Sequence, residues 1–234
     1  MDDKPERVRS MFAAIAPAYD LNNRLHSLGR DQAWRRATVR RCAVRPTDAV
    51  LDVACGTGDL SEAFAAAGAA RVVGVDFTDE MLVLARQKAE RFDDARAAVE
   101  YRWADAQDLP FEDASFDVVS IAFGLRNVAT PALALGEFRR VLRPGGRLAV
   151  LEFTEPTNRL VRAFNRLYCQ WIMPRTASLI ARDRSGAYHY LPRSVATFLE
   201  PGALVQAIED AGFDAVDVQP MTLGICSCYL GRVS

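Results

Sequence analysis

One string, Leu51-Asp52-Val53-Ala54-Cys55-Gly56-Thr57-Gly58-Asp59, limits what this chain can fold into more than any other. It begins inside a short apolar run, Ala49–Ala54, that reads as a buried parallel strand. It leads into a helical pattern, Asp59–Ala67, that Gly68 stops. Glycines at such a turn let the backbone approach a ligand closely and place that ligand beside a helix N-terminus. A dinucleotide turn would read G-x-G-x-x-G, but here Ala54 stands two residues before Gly56 and Ser61 three after Gly58. Two acids flank the loop instead, Asp52 before it and Asp59 just inside the helix. Carboxylates repel a pyrophosphate and favour a nucleoside that carries positive charge.

The rest of the chain repeats the strand–helix alternation. Arg71–Val75 is a second strand ending at Asp76, and Thr78 can cap a helix running to about Phe92. Val99–Trp103 and Phe116–Ala122 are the third and fourth strands, and Pro131–Leu142 is a helix. Pro144-Gly145-Gly146 turns the chain into a fifth strand, Arg147–Phe153. A helix over Pro201–Ala211 and two strands, Ala215–Gln219 and Gly224–Leu230, follow. This order implies one parallel sheet covered on both faces, with an antiparallel edge from the last two strands. Upstream of the sheet, Val8, Met11, Phe12 and Ile15 form a helical stripe that Pro17 interrupts, leaving Ala18–Gly29 polar and turn-rich. A second helical run, Gln32 to Cys42, ends at Pro46.

Three acids fall at the carboxyl ends of successive strands, the edge where open α/β sheets bind ligands. Besides Asp52, Asp76 lies 18 residues after Gly58, where a carboxylate can accept both hydroxyls of a ribose. Asp105-Ala106 follows the third strand, where an acid can bind an adenine amino group. A cationic nucleoside with ribose and adenine is S-adenosylmethionine (AdoMet), and the pattern favours it over NAD.

The 234 residues suffice for one such domain, 1–234. Half of them are hydrophobic and a quarter charged, with 29 basic against 30 acidic, so overall charge gives no footprint for nucleic acid. Five cysteines lack zinc-like spacing, and Cys226 and Cys228 read as same-facing residues of a strand. With no signal-like N-terminus and no apolar run long enough to span a bilayer, the expected location is the cytoplasm.

Longer strings carry a resemblance. Phe123-Gly124-Leu125-Arg126-Asn127-Val128, Arg140–Leu148 with its Pro144-Gly145-Gly146 turn, and Leu151-Glu152-Phe153 resemble the ubiquinone/menaquinone-biosynthesis C-methyltransferases, a class I AdoMet-dependent family. Tyr19-Asp20 near the N-terminus and Tyr188–Val195 are similar to the same family. The resemblance implies a Rossmann-like, mostly parallel sheet of seven strands, with an N-terminal helical lid over 1–45 and a substrate-side insertion over 156–199. It implies C-methylation of a demethylated prenyl quinol, a small lipophilic substrate, without a metal. By resemblance Asp52, Gly56, Thr57, Gly58, Asp76, Phe77, Asp105, Ala106 and Ala122 serve the cofactor, although the family usually has Ser at Ala122. Tyr19, Asp20, Tyr188 and His189 fall on the lid and substrate side.

Ring carbon becomes nucleophilic when a neighbouring hydroxyl loses its proton. Arg126, just after the fourth strand, is the candidate to stabilise that phenolate or orient a water; a salt bridge to a nearby acid explains it equally well. Asn127 either positions a quinol oxygen or closes a turn. Between Pro156 and Val195 seven arginines face one acid, Asp183, among Leu160, Phe164, Leu167, Tyr168 and Trp171. That composition suits an interfacial helix at the inner face of the membrane or a groove for a prenyl tail. A core-facing helix with snorkelling arginines, or a homodimer contact, fits as well, and the core-facing reading is slightly favoured.

Overall fold

The structure, a computed structural model, describes residues 4–90, 99–181 and 187–234. Its centre is a seven-stranded sheet in the order β3-β2-β1-β4-β5-β7-β6. The strands are β1 (Ala49–Val53), β2 (Arg71–Asp76), β3 (Val99–Trp103), β4 (Phe116–Ala122), β5 (Leu142–Phe153), β6 (Asp214–Met221) and β7 (Cys226–Arg232). The first five run parallel, and β7 lies antiparallel between β5 and β6. The expected mostly parallel sheet with an antiparallel edge is thus the observed one.

The central strands are apolar because helices cover both faces. Val50, Leu51, Val53, Val72, Val73, Val75, Val118, Val119 and Ile121 are all buried, with Asp52 and Ser120 as buried polar exceptions. One layer sets Leu135 and Phe138 of α5 (Pro131–Val141) and Leu204 and Ile208 of α9 (Pro201–Asp210) against the sheet. The other sets Leu60 and Phe64 of α3 (Asp59–Ala66) and Val39 of α2 (Arg30–Cys42) against it. The outer strand β3 carries α4 (Asp79–Ala89), whose Leu82 and Ala85 pack on Tyr101. Cys226 and Cys228 are buried together beside Trp34 and Leu151, as same-facing strand residues should be.

Two local expectations need correction. Pro17 does not break the first helix: α1 runs from Lys4 to His26. Pro17 stands on its exposed face, where solvent can take the carbonyl bond that proline forfeits, while Ile15 and Ala16 are buried. Further along, Asn22 donates to the Ala177 carbonyl at 3.5 Å, and this tertiary anchoring carries the helix through a polar stretch. The fifth strand starts earlier than Arg147. Leu142 already pairs with Phe116, the glycine turn bulges out, and pairing resumes at Val118 with Arg147.

The insertion after β5 is helical, comprising α6 (Arg159–Leu167), a π-type turn (Tyr168–Ile172), α7 (Met173–Ala181) and α8 (Ala187–Thr197). The favoured core-facing reading of its first helix is overturned, since no side chain of α6 is buried. Met173 and Ala177 of α7 pack on Ile15 of α1. Among the described residues no helix is long and apolar enough to cross a membrane.

Candidate active site

The carboxyl ends of β1 to β4 open onto one cavity of about 850 Å³, part of it open to solvent. Gly56 lines it after β1, Asp76 and Phe77 after β2, Asp105 and Ala106 after β3, and Ala122 and Asn127 after β4. Phe12 and Tyr19 of α1 close it from above the sheet edge. A smaller space shares Tyr19, Gly56 and Ala122 with it and adds Asp52, Thr57, Asp59 and Arg35.

The loop itself is held by side chains. Gly56 has φ +56°, and its N–H donates to Asp76 Oδ2 at 2.8 Å, while Thr78 N donates to Asp76 Oδ1 at 2.8 Å. One carboxylate thus joins two turns that line the cavity. Burial raises the Asp76 pKa, and these backbone N–H groups oppose the rise. Gly58, at φ +88°, lines neither space; a Cβ there would come within 2.8 Å of Tyr101 Cζ, so its smallness admits the ring. Asp52 is wholly buried and accepts from Ser120 Oγ at 2.7 Å and Ser61 Oγ at 2.6 Å. Burial pushes its carboxyl up to about 6, against the pull of both hydroxyls and of Arg35.

A charged network straps α1 over the loop. Asp20 accepts from Thr57 Oγ1 at 2.6 Å and pairs with Lys88 at 3.0 Å, lining neither space. Asp59 pairs with the same lysine at 2.6 Å and with Arg24 at 2.7 Å. Asp31 pairs with Arg24 and, at 3.1 Å, with Arg35. Burial alone would raise the Asp59 pKa; Arg35, Lys88 and Arg24 together hold it below the ordinary carboxylate value. Asp105 keeps Oδ1 on the Gln107 N–H at 2.9 Å, so its loop is closed locally.

After β4 the chain turns at Phe123, a non-glycine residue at φ +58°. Its ring stacks near Phe153, with centroids 4.5 Å apart, and its N–H donates to the Leu151 carbonyl at 2.7 Å. Arg126 is buried; Nη1 reaches Glu152 Oε1 at 2.6 Å and the Phe123 carbonyl at 2.5 Å, and Nε donates to Ser194 Oγ at 3.3 Å. The ion pair that the sequence left open is therefore present. Its Nη2 has no hydrogen bond among the described residues. Asn127 accepts from Tyr190 Oη at 3.2 Å and faces the large cavity, which Arg126 does not line. Tyr188 and His189 lie outside the described side chains.

Sequence reasoning missed Arg35, Met81 and Gln107. Arg35 looks like one of several arginines on a basic surface helix, and only its tertiary placement, 7% exposed beside the glycine loop, distinguishes it. Met81 is buried in α4, as an apolar residue of its sheet-facing stripe should be, and it also lines the cavity.

A sheet wound in this order, whose glycine turn rejects a pyrophosphate and whose open edge ends in acids, is that of an AdoMet-dependent class I methyltransferase. Residues 1–232 match the model of the ubiE/COQ5 methyltransferase family, and the chain belongs to that family. It is 45% identical to a demethylmenaquinone methyltransferase of Deinococcus radiodurans, over 98% of this chain and 93% of that one. It is 46% identical to the Thermus thermophilus protein of the same name, over 94% and 99%. A ubiquinone/menaquinone biosynthesis C-methyltransferase of a Geobacter species is 39% identical over 99% and 98%. Among solved structures, a SAM-dependent methyltransferase of Thermotoga maritima shares the fold at a TM-score of 0.67 and 18% identity, covering 97% of this chain and all of that one.

Proposed function

We propose that the chain transfers a methyl group from AdoMet to a ring carbon of a demethylated prenyl quinol in quinone biosynthesis, with demethylmenaquinol as the acceptor. The observation that carries this reading is the single cavity running from Gly56, Asp76 and Asp105 to Asn127, so that a nucleoside and an acceptor ring share one space. The names of the relatives support the acceptor.

The residues present fit AdoMet. Asp76 would hold the ribose, Phe77 and Met81 would wall the adenine, and Asp105-Ala106 would meet its amino edge. Beside the smaller space, Arg35 and Asp52 offer opposite charges, which match the carboxylate and ammonium of an amino acid. Bound there, AdoMet supplies its methyl as an electrophile. Asn127, fixed by Tyr190, orients an acceptor oxygen, and Arg126, behind the cavity wall, holds the turn that carries Asn127 through Glu152 and the Phe123 carbonyl. Ala122, where the family usually has Ser, contributes backbone only. Tyr19 borders both spaces, and Asp20 holds α1 in place as a cover that keeps water from the reacting groups. The enzyme works on the cytoplasmic side of the membrane.

Purified chain offered AdoMet with reduced demethylmenaquinol, and separately with its benzoquinol counterpart, tests the reading by mass spectrometry of the products. The naphthoquinol is expected to be preferred by about tenfold or more in kcat/KM, within what a shaped apolar pocket can discriminate. AdoMet binding without methylation of either quinol would overturn it.

A further inference from the structure

The helix that the core does not claim presents an apolar stripe to solvent. Leu160, Phe164, Leu167 and Trp171 follow at intervals of four, three and four, which places them on one face of α6 and the π-type turn. They are 83%, 69%, 55% and 58% exposed. A helix of an ordinary globular enzyme hides such a stripe. Here its solvent-facing position is built in: Asn158 caps α6 by accepting from Leu160 N at 3.0 Å, and Glu155 anchors it through Arg166 at 2.6 Å.

The charge around the stripe is mostly of one sign. Residues 156–181 contain Arg159, Arg162, Arg166 and Arg175 and no acid; Glu155, just before them, pairs with Arg162 at 3.8 Å and Arg166 at 2.6 Å, which leaves Arg159 and Arg175 as the cations in excess. Arg175 lies over the Trp171 ring, 5.1 Å from its centroid, an arrangement that keeps a cation beside an indole at the rim of the stripe. Arg159 forms no ion pair among the described residues. The stripe also adjoins α1, because His26 Nδ1 meets Tyr168 Oη at 3.0 Å. On α1, Leu21 and Leu25 are again more than half exposed, and Leu28 just beyond it is 88% exposed.

We propose that the face formed by α6, the π-type turn and the end of α1 docks on an anionic lipid bilayer. Aliphatic and indole side chains enter the headgroup boundary while the arginines meet lipid phosphates. A second copy of the chain fits the same face poorly, because a two-fold contact would set Arg159 and Arg175 against their own counterparts while Glu155 is already committed to Arg162 and Arg166. The same α1 that carries Leu21 and Leu25 also closes the cavity through Phe12 and Tyr19, so docking there would bring the enclosed site against the lipid. The inference is independent of the acceptor assigned above, since its test needs neither AdoMet nor quinol.

The full chain is sedimented with vesicles of phosphatidylcholine alone and of phosphatidylcholine with phosphatidylglycerol. Binding is expected several-fold stronger to the anionic vesicles and weaker as salt rises. The double variant Phe164→Ser, Trp171→Ser should lose about tenfold or more, since two large apolar side chains leave the boundary. Arg159→Gln with Arg175→Gln should remove most of the preference for anionic lipid and leave the residual apolar binding. Both pairs are exposed, so unchanged thermal unfolding serves as the control for folding. Wild-type protein that stays in the supernatant with both vesicles overturns the proposal. So does a concentration-dependent dimer that the Phe164→Ser, Trp171→Ser variant dissociates while vesicles go unbound, which would make the face a contact between copies.

Discussion

Arg126 and Asn127 are neighbours in the chain with different tasks. Asn127 faces the cavity, whereas Arg126 is clamped between Glu152, Ser194 and the Phe123 carbonyl. Lysine at position 126 preserves a charge for Glu152 but loses the planar fork. Arg126→Lys should therefore displace Asn127 and lower kcat about 100-fold with the AdoMet Kd unchanged, read by steady-state kinetics and calorimetry. Equal loss of affinity and turnover would point to a collapsed turn instead. Asp76→Ala should act in the opposite manner, weakening AdoMet about 10- to 100-fold through lost charged hydrogen bonds, and an unchanged Kd would contradict its assignment. Glu62 offers a test by pH. Its Oε1 is buried without a hydrogen-bond partner among the described residues, and burial pushes its carboxyl up to about 7. The folded state then holds a proton that the unfolded chain releases near the ordinary value, so stability contributed by the protonated form declines as pH rises through that window. Denaturation at about pH 5 and about pH 8 should show this loss, and Glu62→Gln should reduce it; an identical slope in the variant would exclude Glu62 as its source.

Among the elements, the buried strands were legible because a doubly covered parallel strand is a short run of Val, Ile and Leu bounded by turn residues. The course of α1 was not. Pro17 and the polar residues after it argue against a helix locally, and only packing on α7 and the bond from Asn22 to Ala177 decide otherwise. The same holds for α2, whose sequence looks like a solvated basic helix yet buries Asp31, Trp34, Arg35 and Thr38. Its end is fastened by Arg147, which donates to the Cys42 carbonyl at 2.5 Å and the Ala43 carbonyl at 2.9 Å and pairs with the buried Asp48 at 2.5 Å. Arg147→Met leaves Asp48 buried without its cation, which should cost about 3–5 kcal/mol and lower Tm by about 10 °C. Arg143→Met, at an exposed pair with Asp117, should cost less than about 1 kcal/mol. Similar losses in both variants would show that Arg147 is not the fastening.

For the whole molecule, three of the acids that the sequence singled out, Asp52, Asp76 and Asp105, border one continuous sheet edge, because parallel winding brings every carboxyl end to the same side. That part of the site follows from strand order alone. Arg35 and the strap through Asp20, Lys88 and Asp59 do not, since they depend on α2 and α1 folding back across the edge from a distant part of the chain. Resemblance supplied the acceptor, and the joined cavity supplies the reason one chain can bring donor and ring together. The most direct measurement is to run the reaction with AdoMet labelled on its methyl group and reduced demethylmenaquinol, then locate the label by fragmentation in the mass spectrometer. Label on a ring carbon is the predicted result. Label on a quinol oxygen would contradict C-methylation and reassign the turn at Phe123–Val128 to a different chemistry.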